Sequence, residues 1–287
     1  MTPKKRARYT PNLDELSWIK EDGSRKKIHP QEVKGRWQRV KNMLWPFFMI
    51  AFFGLPWLEI DGRPALLVHL ADRRAYLFGA TFNAEDFWLV FFLLTGLGFF
   101  LFVISSIWGR VWCGYACPHT VLLEGVFRRI ERLVEGTAVQ RRRLEDAPWT
   151  GGKIAKKAIK FVLFATFSLA ISHTILSYFM GTEEVLAAIT RPPAEHWGAF
   201  LFVVAFSLII YGNFAWFREQ LCIAICPYGR LQGALYDRDT INVTYDPTRG
   251  EPRRGTEGAD AAGDCIDCYL CVAVCPTGID IRNGTQL

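Results

Sequence analysis

The chain has 287 residues, of which 51% are hydrophobic, and its mean hydropathy is positive. It carries more apolar sequence than one soluble domain buries, which argues against a single soluble globular domain. The formal net charge is +6 at pH 7. Because the basic residues stand next to the apolar segments, anionic lipid headgroups are their expected counterions, so the charge indicates a membrane partner and no nucleic acid.

Four apolar blocks follow a basic, polar N-terminal tail of 42 residues, which has no apolar signal segment. The blocks lack Lys, Arg, Asp and Glu and cover residues 42–58, 87–109, 161–182 and 197–217. About 20 apolar residues cross a bilayer as a helix. The sequence therefore predicts an all-α, multi-pass membrane domain of four transmembrane helices over residues 43–236. The first block has only 17 residues and contains Pro46 and Pro56, so a kink is expected there.

Lysine and arginine are distributed unevenly between the segments that flank these blocks. Residues 1–42, 109–160 and 217–287 together hold 30 of them, whereas residues 59–86 and 181–196 hold 4. Because positive loops stay on the cytoplasmic side, this pattern predicts that both termini are cytoplasmic and that two short loops lie outside. All eight cysteines then face the cytoplasm, where thiols remain reduced and serve as metal ligands or redox groups.

An internal two-fold repeat is visible in the motif C-x3-C-P, which follows the second and the fourth apolar block. The motifs contain Cys113 with Cys117 and Cys222 with Cys226, and the first cysteines of the two are 109 residues apart. Proline after the second cysteine suits a first helical position, so Cys117 and Cys226 are expected at helix N-termini. The four cysteines are predicted to be catalytic, copper-binding thiols, because thiolates favour Cu(I). Either each pair binds a metal or the two pairs meet as four thiolates; cysteines that merely pack at helix ends are the alternative.

Two histidines are candidates for a role near these motifs. His173 lies inside the third apolar block, and it is interpreted as a hydrogen-bonded residue between helices, since a bis-histidine haem would need a second histidine. His119 stands two residues after Cys117. It either completes a copper site or is a polar residue at the membrane interface.

The C-terminal cysteines follow the iron–sulfur spacing C-x2-C-x2-C-x3-C-P. A linker over residues 237–263 precedes a partial ferredoxin module, residues 264–287, whose candidate [4Fe–4S] ligands are Cys265, Cys268, Cys271 and Cys275. Zinc is the alternative, but structural zinc sites usually separate two C-x2-C pairs. In two-cluster ferredoxins the fourth cysteine serves the other cluster, and no cysteine follows Cys275. We therefore expect a truncated α+β ferredoxin module.

Several strings resemble the cytochrome c oxidase accessory proteins of the CcoG/FixG type. The resemblance covers about residues 44–286, and the strings are GRPA at 62–65, FGATF at 78–82, GRVWCGYACP at 109–118, REQ at 218–220, CPY at 226–228, YD at 245–246 and RGEPR at 249–253. It implies an inner-membrane polyferredoxin with two [4Fe–4S] clusters that reduces Cu(II) to Cu(I) and assists the assembly factors of cbb3-type oxidase. Carried over, Cys265, Cys268 and Cys271 bind the first cluster and Cys275 the second.

The sequence also departs from that family. The resemblance implies a second cysteine quartet, a further membrane helix and an immunoglobulin-like domain, and none follows residue 287, so a fragment is expected. His119 stands where the family more often has glutamine. Two other functions stay open: a generic ferredoxin conduit between the quinone pool and a partner reductase, and a non-enzymatic copper-binding assembly factor. The sequence has no Rossmann fingerprint and no phosphate-binding glycine loop, so it does not indicate directly bound nicotinamide as the electron donor.

Overall fold

The computed structural model describes residues 28–69, 72–235, 239–241, 243–253 and 263–283. The chain divides into two compact units. One is Lys34–Ile241, and the other consists of Met1–Val33 together with Asn242–Leu287. The predicted N-terminal tail is therefore divided between the two units. Within the unit that contains Asn242–Leu287, Gln31 N donates a hydrogen bond to Ala273 O at 2.8 Å.

The unit Lys34–Ile241 is built mainly from helices. In chain order they are α1 (Arg36–Gly54), α2 (Phe87–Trp108), α3 (Val111–Tyr115), α4 (Pro118–Leu122), α5 (Arg128–Glu135), α6 (Ala138–Asp146), α7 (Gly151–Met180), α8 (Thr182–Thr190), α9 (Trp197–Gly212) and α10 (Pro227–Ala234). Three turns are π-helical, with an extra residue in the turn, at Leu123–Phe127, Asn213–Phe217 and Leu221–Ile225.

Among the residues that the structure describes, three helical segments are long and apolar enough to cross a membrane. They are Trp88–Trp108, Gly151–Met180 and Trp197–Phe217, and they match three of the four apolar blocks. The first block coincides with the C-terminal part of α1, which ends at Gly54 before Pro56, and Pro46 lies inside the helix. A fourth transmembrane helix stays a prediction.

In the described part of the segment between α1 and α2 there are five short strands, so this unit is not all-α as predicted. They are β1 (Glu59–Ile60), β2 (Arg63–Pro64), β3 (Leu66–His69), β4 (Arg74–Leu77) and β5 (Ala80–Phe82). All pair antiparallel, β1 with β2 and β4 with both β3 and β5. Asp61 and Gly62 both have positive φ, as do Phe78 and Gly79, which is the geometry of two-residue hairpin turns. Backbone groups of the paired strands therefore bond to one another within this predicted loop.

Aromatic residues from three elements form the core between α5, α7 and α9. Phe127 stacks on Phe214 with ring centroids 4.2 Å apart and meets Phe164 edge to face at 4.9 Å. Helix α7 packs against α9, and Ser168 and Ser172 are fully buried one turn apart on α7. Such small side chains let neighbouring helices approach closely within a membrane.

The second unit is described only in part. It contains α11 (Pro247–Gly250), α12 (Leu270–Val274) and a 3₁₀ turn at Ile281–Asn283. Its described residues, 28–33, 243–253 and 263–283, contain no strand, so the strands of the predicted α+β module are not found there.

Candidate functional site

Both C-x3-C-P motifs end in the same backbone geometry. Cys117 is the residue before α4, with φ −59° and ψ 123°, and Cys226 is the residue before α10, with φ −63° and ψ 114°. The proline after each cysteine takes the first helical position, where its missing N–H costs no hydrogen bond. The two second cysteines therefore stand at helix N-termini, as the sequence predicts.

The first cysteines lie in different local structures. Cys113 is in the short helix α3, whereas Cys222 is in the π-helical turn Leu221–Ile225. The other two π-helical turns lie directly beside the motifs, one after α4 and one after α9. Such turns are rare and often occur at functional sites. No residue type marks a π-helical turn, so the sequence did not indicate these three.

Each C-x3-C-P motif has a thiol that contacts a residue beside the other motif. Cys222 Sγ lies 3.4 Å from His119 Nδ1, and Cys113 Sγ lies 3.8 Å from Gln232 Oε1. We call the four cysteines at positions 113, 117, 222 and 226 the membrane-face thiols. All are free.

Burial and mutual repulsion act together on two membrane-face thiols. Burial raises the pKa of Cys113 to about 11, with a further contribution from Cys117. Burial also raises the pKa of Cys222 to about 12, and Cys117, Cys226 and Cys113 add to the shift in that order. The contacts of Cys222 with His119 and of Cys113 with Gln232 place the two motifs close together in space. The two thiols are protonated at neutral pH, and a bound cation would be needed to hold them as thiolates.

His119 is fixed by aromatic stacking beside Cys222. Its ring lies on Phe214 with centroids 5.2 Å apart and planes inclined by 19°. Burial lowers its pKa from the usual value near 6.5, an effect partly opposed by Asn213, so the imidazole is neutral at pH 7. His119 Nε2 and Asn213 Oδ1 are both buried, and the Asn213 side chain is a hydrogen-bond partner of the imidazole.

Buried ion pairs hold the two halves together behind these thiols. Arg218 donates two hydrogen bonds to Glu131, both 3.0 Å long, and Arg128 pairs with Glu219. Each half thus supplies one cation and one carboxylate. Arg141 adds a 2.9 Å contact to Glu131. The sequence analysis noted Arg218 and Glu219 only within a family string, and nothing in the sequence indicated their partners.

A close backbone approach positions the second motif. A Cβ added at Gly229 would lie 2.9 Å from the carbonyl oxygen of Cys222, so helix α10 passes this turn where only glycine fits. Tyr228 lies beside Gly229, and its hydroxyl is 2.5 Å from Ser105 Oγ at the end of α2. The second motif is therefore attached to the helix that leads into the first.

The C-terminal cysteine run contains two residues whose backbone is in the left-handed conformation. Asp267 has φ 53° and Tyr269 has φ 60°, and they flank Cys268, the most exposed cysteine of the run. Arg282 is buried, stacks on Tyr269 at 3.8 Å and pairs with Asp267. The sequence analysis missed Arg282, because no pattern links it to the cysteines.

The donor atoms of this run fit an iron–sulfur cluster. Cys265, Cys268, Cys271 and Cys275 are all free thiols on a short segment, the ligand type that such clusters take. Within the part of the chain that the structure describes, no three His, Cys, Asp or Glu side chains are grouped to hold one metal ion. Each thiolate of a cluster binds a different iron, so its ligands need not surround a single point.

The sequence interpretation of His173 as a residue that forms a hydrogen bond between helices does not agree with the structure. Its Nδ1 lies 2.8 Å from the carbonyl oxygen of Leu169, one turn earlier in the same helix. This hydrogen bond of His173 Nδ1 therefore lies within α7 and not between helices.

Comparison with protein families identifies two iron–sulfur regions. The family described as "4Fe-4S dicluster domain" matches residues 217–287, and the family described as "4Fe-4S binding domain" matches residues 87–136. The first region contains Cys222 and Cys226 as well as the C-terminal run, and the second contains Cys113 and Cys117. No solved structure matches the chain.

Three curated proteins are similar over nearly the whole chain. "Nitrogen fixation protein FixG" of Rhizobium meliloti (strain 1021) is 36% identical over 276 residues, which is 92% of this chain and 52% of that protein. "Protein RdxA" of Cereibacter sphaeroides is 38% identical over 268 residues, 91% of this chain and 56% of that protein. "Protein RdxB" of the same organism is 38% identical over 276 residues, 92% and 57% of the respective chains. The chain thus spans about half the length of these relatives. Over the region that it shares with them, it belongs to the CcoG/FixG type that its sequence strings indicate.

Proposed function

We propose that the chain is a membrane-bound electron-transfer protein that reduces Cu(II) to Cu(I) for the assembly of cbb3-type oxidase. An iron–sulfur cluster on the C-terminal run would supply the electron, and the membrane-face thiols would bind the copper ion. The observation that carries the proposal is the contact of each motif with a residue of the other half, at Cys222 with His119 and at Cys113 with Gln232.

The chemistry of the thiols supports copper as the acceptor. One electron leaves a reduced cluster, and one Cu(II) ion becomes Cu(I), so charge and electrons balance once a cellular donor reduces the cluster again. Thiolates bind Cu(I) more tightly than Cu(II). A site that prefers the product raises the reduction potential of the bound copper and makes its reduction easier.

The proposed membrane arrangement has four spanning helices, an internal two-fold repeat and both termini in the cytoplasm of a bacterium with the chain in its inner membrane. Three spans and the partition of basic residues support it. So does the 4.0 Å contact between His69 Nε2 and Glu184 Oε1, since these residues belong to the two loops proposed to lie outside.

The iron–sulfur family matches favour a second candidate, a generic electron conduit without copper. Both matches include membrane-face thiols, so these cysteines would then be ligands or neighbours of a further cluster. A copper-binding assembly factor without redox activity is the third candidate. The three differ in whether copper binds and whether it accepts an electron.

Replacing Cys113 and Cys117 with serine tests the copper assignment. We expect the double variant to lose tight Cu(I) binding in a competition titration, because two of the four thiolate donors are absent. The visible iron–sulfur absorbance of the C-terminal run is expected to persist. Unchanged Cu(I) affinity in a variant that also carries Cys222→Ser and Cys226→Ser would contradict the assignment. Loss of iron–sulfur absorbance in that variant would favour the conduit.

A further inference from the structure

A cavity of about 450 Å³ lies between α5, α6 and the N-terminal part of α7. Its walls include three apolar side chains, Leu133, Val134 and Leu144, and two cations, Arg143 and Lys156. The volume is within the range of about 300–1,000 Å³ that is typical of ligand pockets. None of the eight cysteines lines the cavity, so the proposed copper and iron–sulfur chemistry does not involve it.

The cavity lies beside the end of the stretch of α7 that can cross a membrane. Helix α7 has 30 residues, and residues 161–180 carry no Lys, Arg, Asp or Glu. At 1.5 Å per residue this stretch is about 30 Å long, which is the thickness of the hydrocarbon core of a bilayer. Lys156 stands five residues before it, or about 7.5 Å along the helix. Because the headgroup layer is about 5–7.5 Å thick on each side, Lys156 is at the level of the lipid phosphates.

Ion pairs hold α5 against α7 at the same level. Lys157 Nζ and Lys160 Nζ lie 2.8 Å and 2.9 Å from Glu135 Oε1. Lys153 Nζ donates to two backbone carbonyl oxygens at the C-terminal end of α6, at 2.9 Å and 2.6 Å. Glu135, which also lines the cavity, is therefore neutralised by two lysines, and these three lysines of α7 all have acceptors within the protein.

Arg143 and Lys156 differ from those lysines. Both are exposed, and neither forms an ion pair with another residue that the structure describes. Gln140 also lines the cavity, where its Oε1 accepts a hydrogen bond from Thr137 N at 2.9 Å. The cavity thus presents two unpaired cations and a fixed amide beside a neutralised carboxylate, which is the charge complement of an anion.

Apolar side chains at the cavity indicate that this anion belongs to a lipid. Leu133, which lines the cavity, has 84% of its surface exposed. Trp149 is 74% exposed and stands two residues before α7. Exposed tryptophan is typical of the interface between lipid and water. Cations next to exposed apolar groups at headgroup level match a phospholipid, whose phosphate adjoins its acyl chains.

We propose that this cavity binds the headgroup of an anionic phospholipid, with Arg143 and Lys156 at its phosphate and Leu133 against its acyl chain. Basic pockets beside transmembrane helices bind anionic headgroups in this way. The bound lipid bridges α6 and α7, which supply the two cations. The inference goes beyond the proposed function, because it requires only that α7 spans a membrane and not that copper or a cluster is bound.

Native mass spectrometry of the full chain in detergent measures this binding, with phosphatidylglycerol as the anionic probe and phosphatidylcholine as the neutral one. We expect one molecule of phosphatidylglycerol to be retained. Arg143→Gln combined with Lys156→Gln is expected to weaken its binding about 25-fold, because each basic residue near a membrane surface contributes about fivefold. Lys34→Gln combined with Arg39→Gln is the matched control. It removes one lysine and one arginine from exposed positions near the start of α1 and is expected to change the affinity less than twofold.

A second variant keeps both charges and tests the apolar contact. Leu133→Ser is expected to weaken phosphatidylglycerol binding about threefold or more, because the acyl chain loses an apolar partner. Inorganic phosphate at the concentration of the lipid is expected not to displace it. Displacement by inorganic phosphate, with no effect of Leu133→Ser, would show that the cavity is a site for a soluble anion and would overturn the proposal.

Two further outcomes separate the lipid site from the membrane arrangement on which it depends. Equal retention of phosphatidylcholine, or an equal loss of affinity in the two double variants, would overturn the site, because the attraction would then be general. Release of the chain from membranes by alkaline carbonate would contradict the spanning helices themselves. The unfolding temperature of each variant is measured in the same detergent, and exposed positions are expected to leave it unchanged.

Discussion

At the scale of single residues, the buried ion pairs are the positions where loss of one partner is most costly. Glu131 has only 3% of its surface exposed, yet it accepts hydrogen bonds from Arg218 and Arg141. A buried ion pair adds little net stability when it is complete, because desolvation offsets the attraction of the two charges. Removing one partner is costly, because the other charge stays buried without compensation.

Glu131→Gln is expected to destabilise the protein strongly. The change leaves the guanidinium groups of Arg218 and Arg141 without their carboxylate, a situation that costs about 3–5 kcal/mol. Glu195→Gln is the control, because its contact with Arg191 is 3.9 Å long and both side chains are more than half exposed, so a loss below about 1 kcal/mol is expected. Denaturant unfolding of both variants in detergent measures the difference. Equal losses of unfolding free energy in the two variants would mean that the buried ion pairs of Glu131 are not required for stability.

At low pH the protein is expected to lose the stabilisation that the ionised Glu131 carboxylate provides. Burial raises the pKa of the Glu131 carboxyl, but Arg218, Lys160 and Arg141 outweigh burial, and the pKa lies below its usual value. A carboxyl whose pKa is lower in the folded state stabilises that state above its unfolded pKa, near 4.3. This contribution is lost as the pH falls through the folded pKa.

The unfolding temperature at pH 7, 5, 4 and 3 checks this dependence. We expect the contribution of Glu131 to be constant between pH 7 and 5 and to decline below about pH 4.3. Glu131→Gln has no carboxyl to protonate there, so its acid loss should be smaller than that of the unaltered protein. If the unfolding temperature falls equally in acid for Glu131→Gln and for the unaltered protein, groups other than Glu131 cause the loss.

At the scale of elements, Gly229 lets α10 pack closely against the backbone of the second motif. The backbone at Cys222 leaves no room for a Cβ at Gly229. Gly229→Ala is therefore expected to shift α10 and to cost about 1–3 kcal/mol. Gly98→Ala in α2 is the control, because nothing lies within 4 Å of that position and alanine favours a helix interior by about 0.5–1 kcal/mol. Thermal unfolding that ranks the two variants in the reverse order would contradict this packing.

The elements that the sequence predicts well are those set by local chemistry. Uncharged apolar blocks predict α2, α7 and α9, and a proline after cysteine predicts the starts of α4 and α10. The strands β1–β5 were not predicted, because the segment between the first two apolar blocks is short and was expected to be a loop. Asp61-Gly62 in that segment is nevertheless a hairpin signal.

Other parts of the site depend on contacts between distant residues. His119 meets Cys222 across 103 positions, and Arg128 meets Glu219 across 91. No local pattern encodes such pairs, since each residue alone is equally consistent with an exposed polar position. The sequence named the cysteines and His119 as candidates, but it did not indicate that His119 contacts Cys222, nor the amide and ion pairs around them.

At the scale of the whole molecule, the proposed orientation has a direct test. Cysteine introduced at Glu184 is expected to react with a membrane-impermeant thiol reagent in whole cells, because the segment that contains it is poor in basic residues and should lie outside. Cysteine at Val139, which is exposed on α6 in a basic segment, should react only after lysis. If Val139→Cys is labelled in intact cells and Glu184→Cys is not, the orientation of the chain in the membrane is opposite to the proposed one.

The most direct test of electron transfer to copper is the reoxidation of the reduced protein by Cu(II). The protein is purified without oxygen, reduced with dithionite and freed of excess reductant, and its iron–sulfur absorbance is followed while a Cu(I)-specific chelator captures the product. We predict that Cu(II) restores the absorbance of the oxidised cluster with one Cu(I) released per electron, and that serine at all four membrane-face thiols abolishes this reaction while the cluster remains. Reoxidation at the same rate in the serine variant, or none in the unaltered protein, would contradict the proposed function.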